Sequence, residues 1–221
     1  MLSKELISDV IPALKTSDTG VKALYWMDIF RISHLPIVNN TEFLGLISDA
    51  DIYDMNSPDE PIGNHSLSLF SPFIQEDKHV YEAVELISKL KLSVVPVLDE
   101  KKNYLGMITA QRLMQYMGDM FAVKNPGGIL VLDLNANDYS LTQIAQIVES
   151  NDAKILSMYI TSPPDSLKME LTLKINRIDL TSIIQTFIRF DYNIKAQFME
   201  DDEMDSVYSS RYEQFMLYLN I

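Results

Sequence analysis

Val80, Ala83, Val84 and Ile87 recur at i, i+3, i+4 and i+7, the spacing of a helix that buries one face. A short apolar run follows, Val94-Val95-Pro96-Val97-Leu98, then a polar turn holding Lys101-Lys102, then a second strand pattern from Tyr104 to Thr109. A closing helix is expected from about Ala110. The same order of patterns stands earlier in the chain. A helix leads to His34-Leu35-Pro36-Ile37-Val38, then to Phe43 to Ser48, then to a helix starting near Asp49.

The two copies are in register. A shift of 60 residues lays Ile11 to Val38 on Ser71 to Leu98 without a gap. Pro12 falls on Pro72, Ala23 on Ala83, Ser33 on Ser93 and Pro36 on Pro96. One extra residue in the second hairpin then places Leu44-Gly45-Leu46-Ile47-Ser48 on Leu105-Gly106-Met107-Ile108-Thr109. Such self-similarity marks a duplicated supersecondary unit. The expected repeats cover about residues 1–60 and 61–122. Ser17 or Asp18 is suited to cap the first helix, and Glu76 or Asp77 places acid near the start of the second. Pro36 and Pro96 lack a ladder donor, which predicts a strand start or edge.

Lys124-Asn125-Pro126-Gly127-Gly128 interrupts the periodicity and marks a domain boundary. Beyond it, Gly128 to Asn135 reads as a strand and Ser140 to Asn151 as a helix, with Leu141, Ile144, Ala145 and Val148 on one face. Ile155 to Thr161 and Met169 to Asn176 read as strands around a turn at Pro163-Pro164-Asp165. A helix capped by Asp179 carries Leu180, Ile183, Ile184 and Phe187, and Asn193 to Met199 reads as the last strand. The order is βαββαβ across residues 126–200. Residues 201–221 read as an acidic linker from Glu200-Asp201-Asp202-Glu203 and a short helix with Tyr212, Phe215, Met216 and Leu219 on one face. The fold class is α+β.

Charge and composition narrow the function. Eighteen basic residues face 31 acidic ones, a net charge of −13. With no basic patch, this repels nucleic acid and anionic membrane surfaces. No apolar run is long enough to span a bilayer, and no secretory signal pattern opens the chain. The absence of cysteine excludes thiol catalysis and thiolate metal sites and fits a cytoplasmic setting. His34, His65 and His79 lack metal-ligand spacing. No nucleophile elbow, phosphate loop or dinucleotide fingerprint occurs. The chain reads as a binding protein, not an enzyme.

Ser48 ends a strand, and Asp51 lies in the first turn of the next helix. A helix N-terminus favours an anion, a hydroxyl can bond phosphate or sugar oxygens, and a carboxylate suits the paired hydroxyls of a ribose. The same residues also read as a plain N-cap and an early-helix acid.

The recurring motifs, Leu35-Pro36-Ile37-Val38 followed by Gly45-x-x-Ser48-x-x-Asp51, resemble the CBS-domain family, whose repeats pair into one module. The resemblance covers residues 1–122. It implies an adenosine nucleotide (AMP, ADP, ATP or a related adenosyl ligand) as a regulatory ligand, with no obligatory cofactor. It also implies that backbone from Ser33 through His34, Leu35, Pro36 and Ile37 meets the adenine edge. In the second copy Thr109 is kept, but Arg112 stands where the acid belongs, which implies one competent site and one altered site. The βαββαβ half resembles an ACT domain, although the Asn135 to Leu141 turn lacks the glycine usual in amino-acid-binding members. The expected protein is a ligand-sensing regulator and a homodimer, with a further protein partner left open. The alternative is a dimeric scaffold whose CBS module has lost its ligand.

Overall fold

The computed structural model describes residues 1–8, 10–65, 69–162 and 168–199. The chain divides into two compact units, Met1–Met117 and Gly118–Ile221, each with its own apolar core.

In the first unit, helix α1 (Gly20–Phe30) leads to strands β1 (His34–Asn39) and β2 (Glu42–Ser48) and the short helix α2 (Asp49–Tyr53). The second copy begins with β3 (Ile74–Gln75). It continues through α3 (Val80–Leu90), β4 (Val94–Leu98), β5 (Tyr104–Thr109) and α4 (Ala110–Met120). The duplication extends to backbone detail. Both hairpins carry a register shift at the same place, Ile37/Val38 and Val97/Leu98. Both long helices end on a left-handed residue that is not glycine, Arg31 at φ 54° and Lys91 at φ 53°.

Thr19, not Ser17 or Asp18, caps α1, its hydroxyl accepting from the Lys22 amide at 3.2 Å. Asp18 instead closes the preceding turn, accepting from the Lys15 amide at 2.8 Å and from Lys22 Nζ at 2.7 Å. In the second copy His79 caps α3, with Nδ1 3.3 Å from the Tyr81 amide. Glu76 and Asp77 lie in the turn before it.

Pro36 lies on one strand of a two-stranded sheet, an edge as expected, while Pro96 departs from expectation. Pro36 sits inside β1, and Pro96 sits inside β4, the central strand of the order β3-β4-β5. Both are tolerated because the lead-in pairing starts just past the proline nitrogen. Leu14 bridges β1 by donating to the Pro36 carbonyl at 2.8 Å and accepting from Val38 at 2.7 Å. The pairing of β3 with β4 begins at Val97.

The segment preceding each copy is exchanged with the other copy. Ser3 donates to the Lys78 carbonyl at 2.9 Å and Ser8 to the Met107 carbonyl at 2.9 Å. Residues counted with the first repeat by sequence thus pack on the second. Reciprocally, Leu46 of β2 donates to the Phe70 carbonyl at 2.8 Å. The glycine of each motif makes room for this crossing. A Cβ on Gly106 would lie 2.4 Å from Ile7 Cγ2, and one on Gly45 would lie 2.6 Å from Leu69 Cβ.

The hairpin tips also meet. Tyr104 N donates to the Thr41 carbonyl at 2.7 Å, Thr41 Oγ1 bonds Asn103 Oδ1 at 3.2 Å, and the Phe43 and Tyr104 rings stack at 6.5 Å. Leu35, Ile37, Ile47, Val95, Val97 and Ile108 are buried in the shared core.

The second unit follows the expected order: β6 (Ile129–Asn135), α5 (Leu141–Glu149), β7 (Ile155–Thr161), β8 (Lys168–Ile175), α6 (Thr181–Arg189) and β9 (Asn193–Phe198). The strands lie in the order β7-β8-β6-β9, each neighbouring pair antiparallel. Alternate residues Leu130, Leu132, Leu171 and Leu173 are buried with Ile144, Ile147, Val148, Ile183 and Phe187 of the helices. On α5 the buried stripe includes Ile147, while Leu141 is exposed. Asp179 accepts from the Thr181 amide at 2.9 Å, but Leu180 occupies the N-cap position of α6.

The boundary between units falls within α4, earlier than the Pro-Gly break. One cause is Phe121, whose carbonyl accepts from Ser157 Oγ at 2.7 Å and whose ring meets Tyr159 edge-on at 5.5 Å. The expected turn at Pro163 to Asp165, the acidic run at Glu200 to Glu203 and the stripe at Tyr212 to Leu219 lie outside the described residues.

Candidate functional site

Ser48 and Asp51 come together, bonded to each other. The Ser48 hydroxyl accepts from the Asp51 amide at 3.1 Å. Asp51 Oδ2 accepts from the Ser48 amide at 2.8 Å and from Ser48 Oγ at 2.7 Å. This is a closed capping box. Helix α2 has five residues, so the dipole expected to draw an anion is that of little more than one turn. Replacing Asp51 with alanine should remove one half of the box and cost about 1 kcal/mol of stability without any ligand present. Urea denaturation checks this, and an unchanged midpoint would show that the box contributes nothing.

His34 faces Ser48 across the β1–β2 pairing. Its ring is half-buried, and its Nδ1 lies 3.0 Å from Ser33 Oγ, 3.1 Å from Ser93 Oγ and 3.4 Å from the Ser93 amide. Burial lowers the His34 pKa below the ordinary imidazole value, with Asp49 and Asp51 pulling the other way. Leu35 and Ile37 turn their side chains into the core, and Pro36 between them is also buried. Only their main chain is left to meet a ligand, and the Pro36 carbonyl already accepts from Leu14.

The second copy differs at the positions of Ser48, Asp51 and His34. Thr109 is buried, and its hydroxyl accepts from the Arg112 amide at 3.0 Å, a cap without its reciprocal half. Arg112 is exposed and, having no acceptor atom, cannot return the bond to residue 109. Val94 stands where the first copy has His34. The structure thus brings Ser48, Asp51 and His34 into one neighbourhood, with Thr109 and Arg112 as its altered counterpart. Sequence reasoning passed over Ser93, although the 60-residue register already set it opposite Ser33.

Known proteins carry related sequence. An uncharacterized protein of Methanopyrus kandleri is 30% identical over 113 residues, 48% of this chain and 57% of that protein. Inosine-5'-monophosphate dehydrogenase of Methanocaldococcus jannaschii is 23% identical over 146 residues, 66% of this chain and 29% of the enzyme. The matched stretch therefore spans less than two thirds of either relative. Among solved structures, a CBS domain pair/ACT domain protein from Thermotoga maritima aligns with 54% of this chain and 98% of its own at 20% identity, with a TM-score of 0.48. Residues 71–119, from the lead-in of the second repeat to the end of α4, match the CBS domain, the family toward which the duplicated pattern points.

Proposed function

We propose that the first unit is a regulatory CBS pair that senses an adenosine nucleotide or related adenosyl ligand. The observation that carries this reading is the duplication, in which a second copy that matches the CBS domain is repeated in register by a first copy with the fuller polar set. In this reading Ser48 and Asp51 exchange their mutual bonds for bonds to ligand hydroxyls or phosphate. The main chain from His34 through Leu35, Pro36 and Ile37 borders the base. Thr109 and Arg112 mark a second cleft unable to hold a ribose in the same way. The βαββαβ unit fits a ferredoxin-like, ACT-like domain used for contact or dimerisation, its first strand-to-helix turn being a glycine-free 3-10 turn at Ala136–Asp138. The whole is read as a cytoplasmic homodimer acting on a protein partner, with no catalytic, nucleic-acid or membrane role.

Titration calorimetry with AMP, ADP, ATP and S-adenosylmethionine tests the reading. Binding should appear, and Asp51→Ala should weaken it by about ten- to a hundredfold, the effect of losing charge-assisted bonds of about 1.5–3 kcal/mol. Unfolding of the unliganded variant, measured in parallel, separates loss of the cap from loss of the ligand. A second reading, a ligand-free dimeric scaffold, is favoured by one observation: Ser48 and Asp51 already satisfy each other. No heat from any of the four compounds at millimolar concentration would decide for the scaffold.

A further inference from the structure

His34 joins the two repeats at the end of β1 opposite the hairpin tips. Three groups that can donate surround its Nδ1: the hydroxyls of Ser33 and Ser93 and the main-chain amide of Ser93. The Ser93 hydroxyl is itself held by the Ser33 amide at 3.0 Å. An amide N–H can only donate. The neutral ring fits this setting with its lone pair on Nδ1 and its proton on Nε2.

We propose that His34 is a proton-sensitive clasp that fastens the first repeat to the second in its neutral form. A second proton must go on Nδ1. It then faces the Ser93 N–H, and the Ser93 hydroxyl hydrogen has to swing away. The ring loses an acceptor, and the contact between Ser33-His34 and Ser93 loosens.

Burial acts in the same direction and disfavours the charged ring. The charged groups facing it are Asp49 and Asp51 of α2, which favour the imidazolium but do not reverse the shift. From the residue before its own strand it meets Ser33 and from the second repeat Ser93, neither of them charged. The sign follows from linkage. With a folded pKa below the unfolded value, the unfolded chain takes up the proton first as pH falls. The clasp's contribution is complete above the ordinary value of 6.5 and is lost as pH falls from there through the folded pKa. None of this requires a nucleotide.

The test is 15N NMR of the histidines in the full chain between pH 5 and 8, with wild type, His34→Asn, Ser93→Ala and Ser93→Thr. The resonance absent from His34→Asn should show a bare Nδ1 and a protonated Nε2, with a midpoint below 6.5. Ser93→Ala should raise that midpoint, and Ser93→Thr, which keeps the hydroxyl, should leave it in place. Amide exchange reads the junction itself. Protection at Ser93 and along β4, corrected for intrinsic rates, should fall on acidification in wild type but not in His34→Asn. That variant presents an amide oxygen near the place of Nδ1 and takes up no proton. A proton on Nδ1 at neutral pH, or a midpoint that Ser93→Ala leaves unmoved, would overturn the proposal.

Discussion

Gly106→Ala should destabilise the first unit by about 2–4 kcal/mol, through backbone strain and overpacking together. Gly106 has φ 152°, in a region that L side chains rarely adopt. The added methyl would stand 2.4 Å from Ile7 Cγ2. That carbon branches directly from Ile7 Cβ, so a rotamer change relieves little of the overlap. The crossing segment has to lift, and with it the bond from Ser8 to Met107. Gly45→Ala should act in the same way against Leu69. Gly118→Ala is the control: it lies in α4, and its Cβ would meet nothing within 4 Å, so it should be neutral or stabilising by about 0.5–1 kcal/mol. Trp26, the sole tryptophan, lies against the first unit's core and reports urea unfolding by fluorescence. A Gly106→Ala midpoint equal to wild type would refute the close-approach account.

Phe187→Ala should cost the second unit about 3–5 kcal/mol. Phe187 is 0% exposed, beneath a sheet whose most buried residues are mainly leucine, and it meets Tyr192 edge-on at 5.4 Å. Alanine leaves a void that rigid strands cannot close. It also strips one wall from Tyr192, whose hydroxyl is tied to Gln143 Oε1 at 2.8 Å, so that ring cannot turn freely into the gap. Denaturation followed by circular dichroism measures the loss. A cost under about 1 kcal/mol would mean that the core repacks.

Much of this architecture is legible in the chain because apolar spacing is a local signal. The βαββαβ order and the paired hairpins follow from periods of two and 3.6. The 60-residue register made the second copy a check on the first. What escaped depends on long-range neighbours. Nothing in Met1 to Ser8 marks a segment destined for β5. The cap of α1 falls on Thr19 and not on Ser17 or Asp18 because the helix starts at Gly20, and the cap of α3 by His79 carries no sequence signal of its own. Arg31 and Lys91 end their helices in a conformation usually signalled by glycine. At the candidate site the residues were identifiable, but their bonding was not. Ser48 and Asp51 at i and i+3 suit both a ribose and each other, and spacing alone does not choose. Ser93 was visible as a repeat partner, but its role at His34 needed the fold.

The exchanged segments impose an order of assembly. Ser8 leaves the ribosome 99 residues ahead of Met107, its partner (107 − 8). At about 5–20 residues per second, the segment waits roughly 5–20 s for the strand it must join. For the last 37 residues of that interval (107 − 70) the first copy already has its own strands and its borrowed partner at Phe70. The nascent pair is therefore half-latched, one crossing made and the other pending. Chaperones and proteases meet it as an undocked early segment whose Leu6 and Ile7 pack on the first unit's core only when that crossing is made.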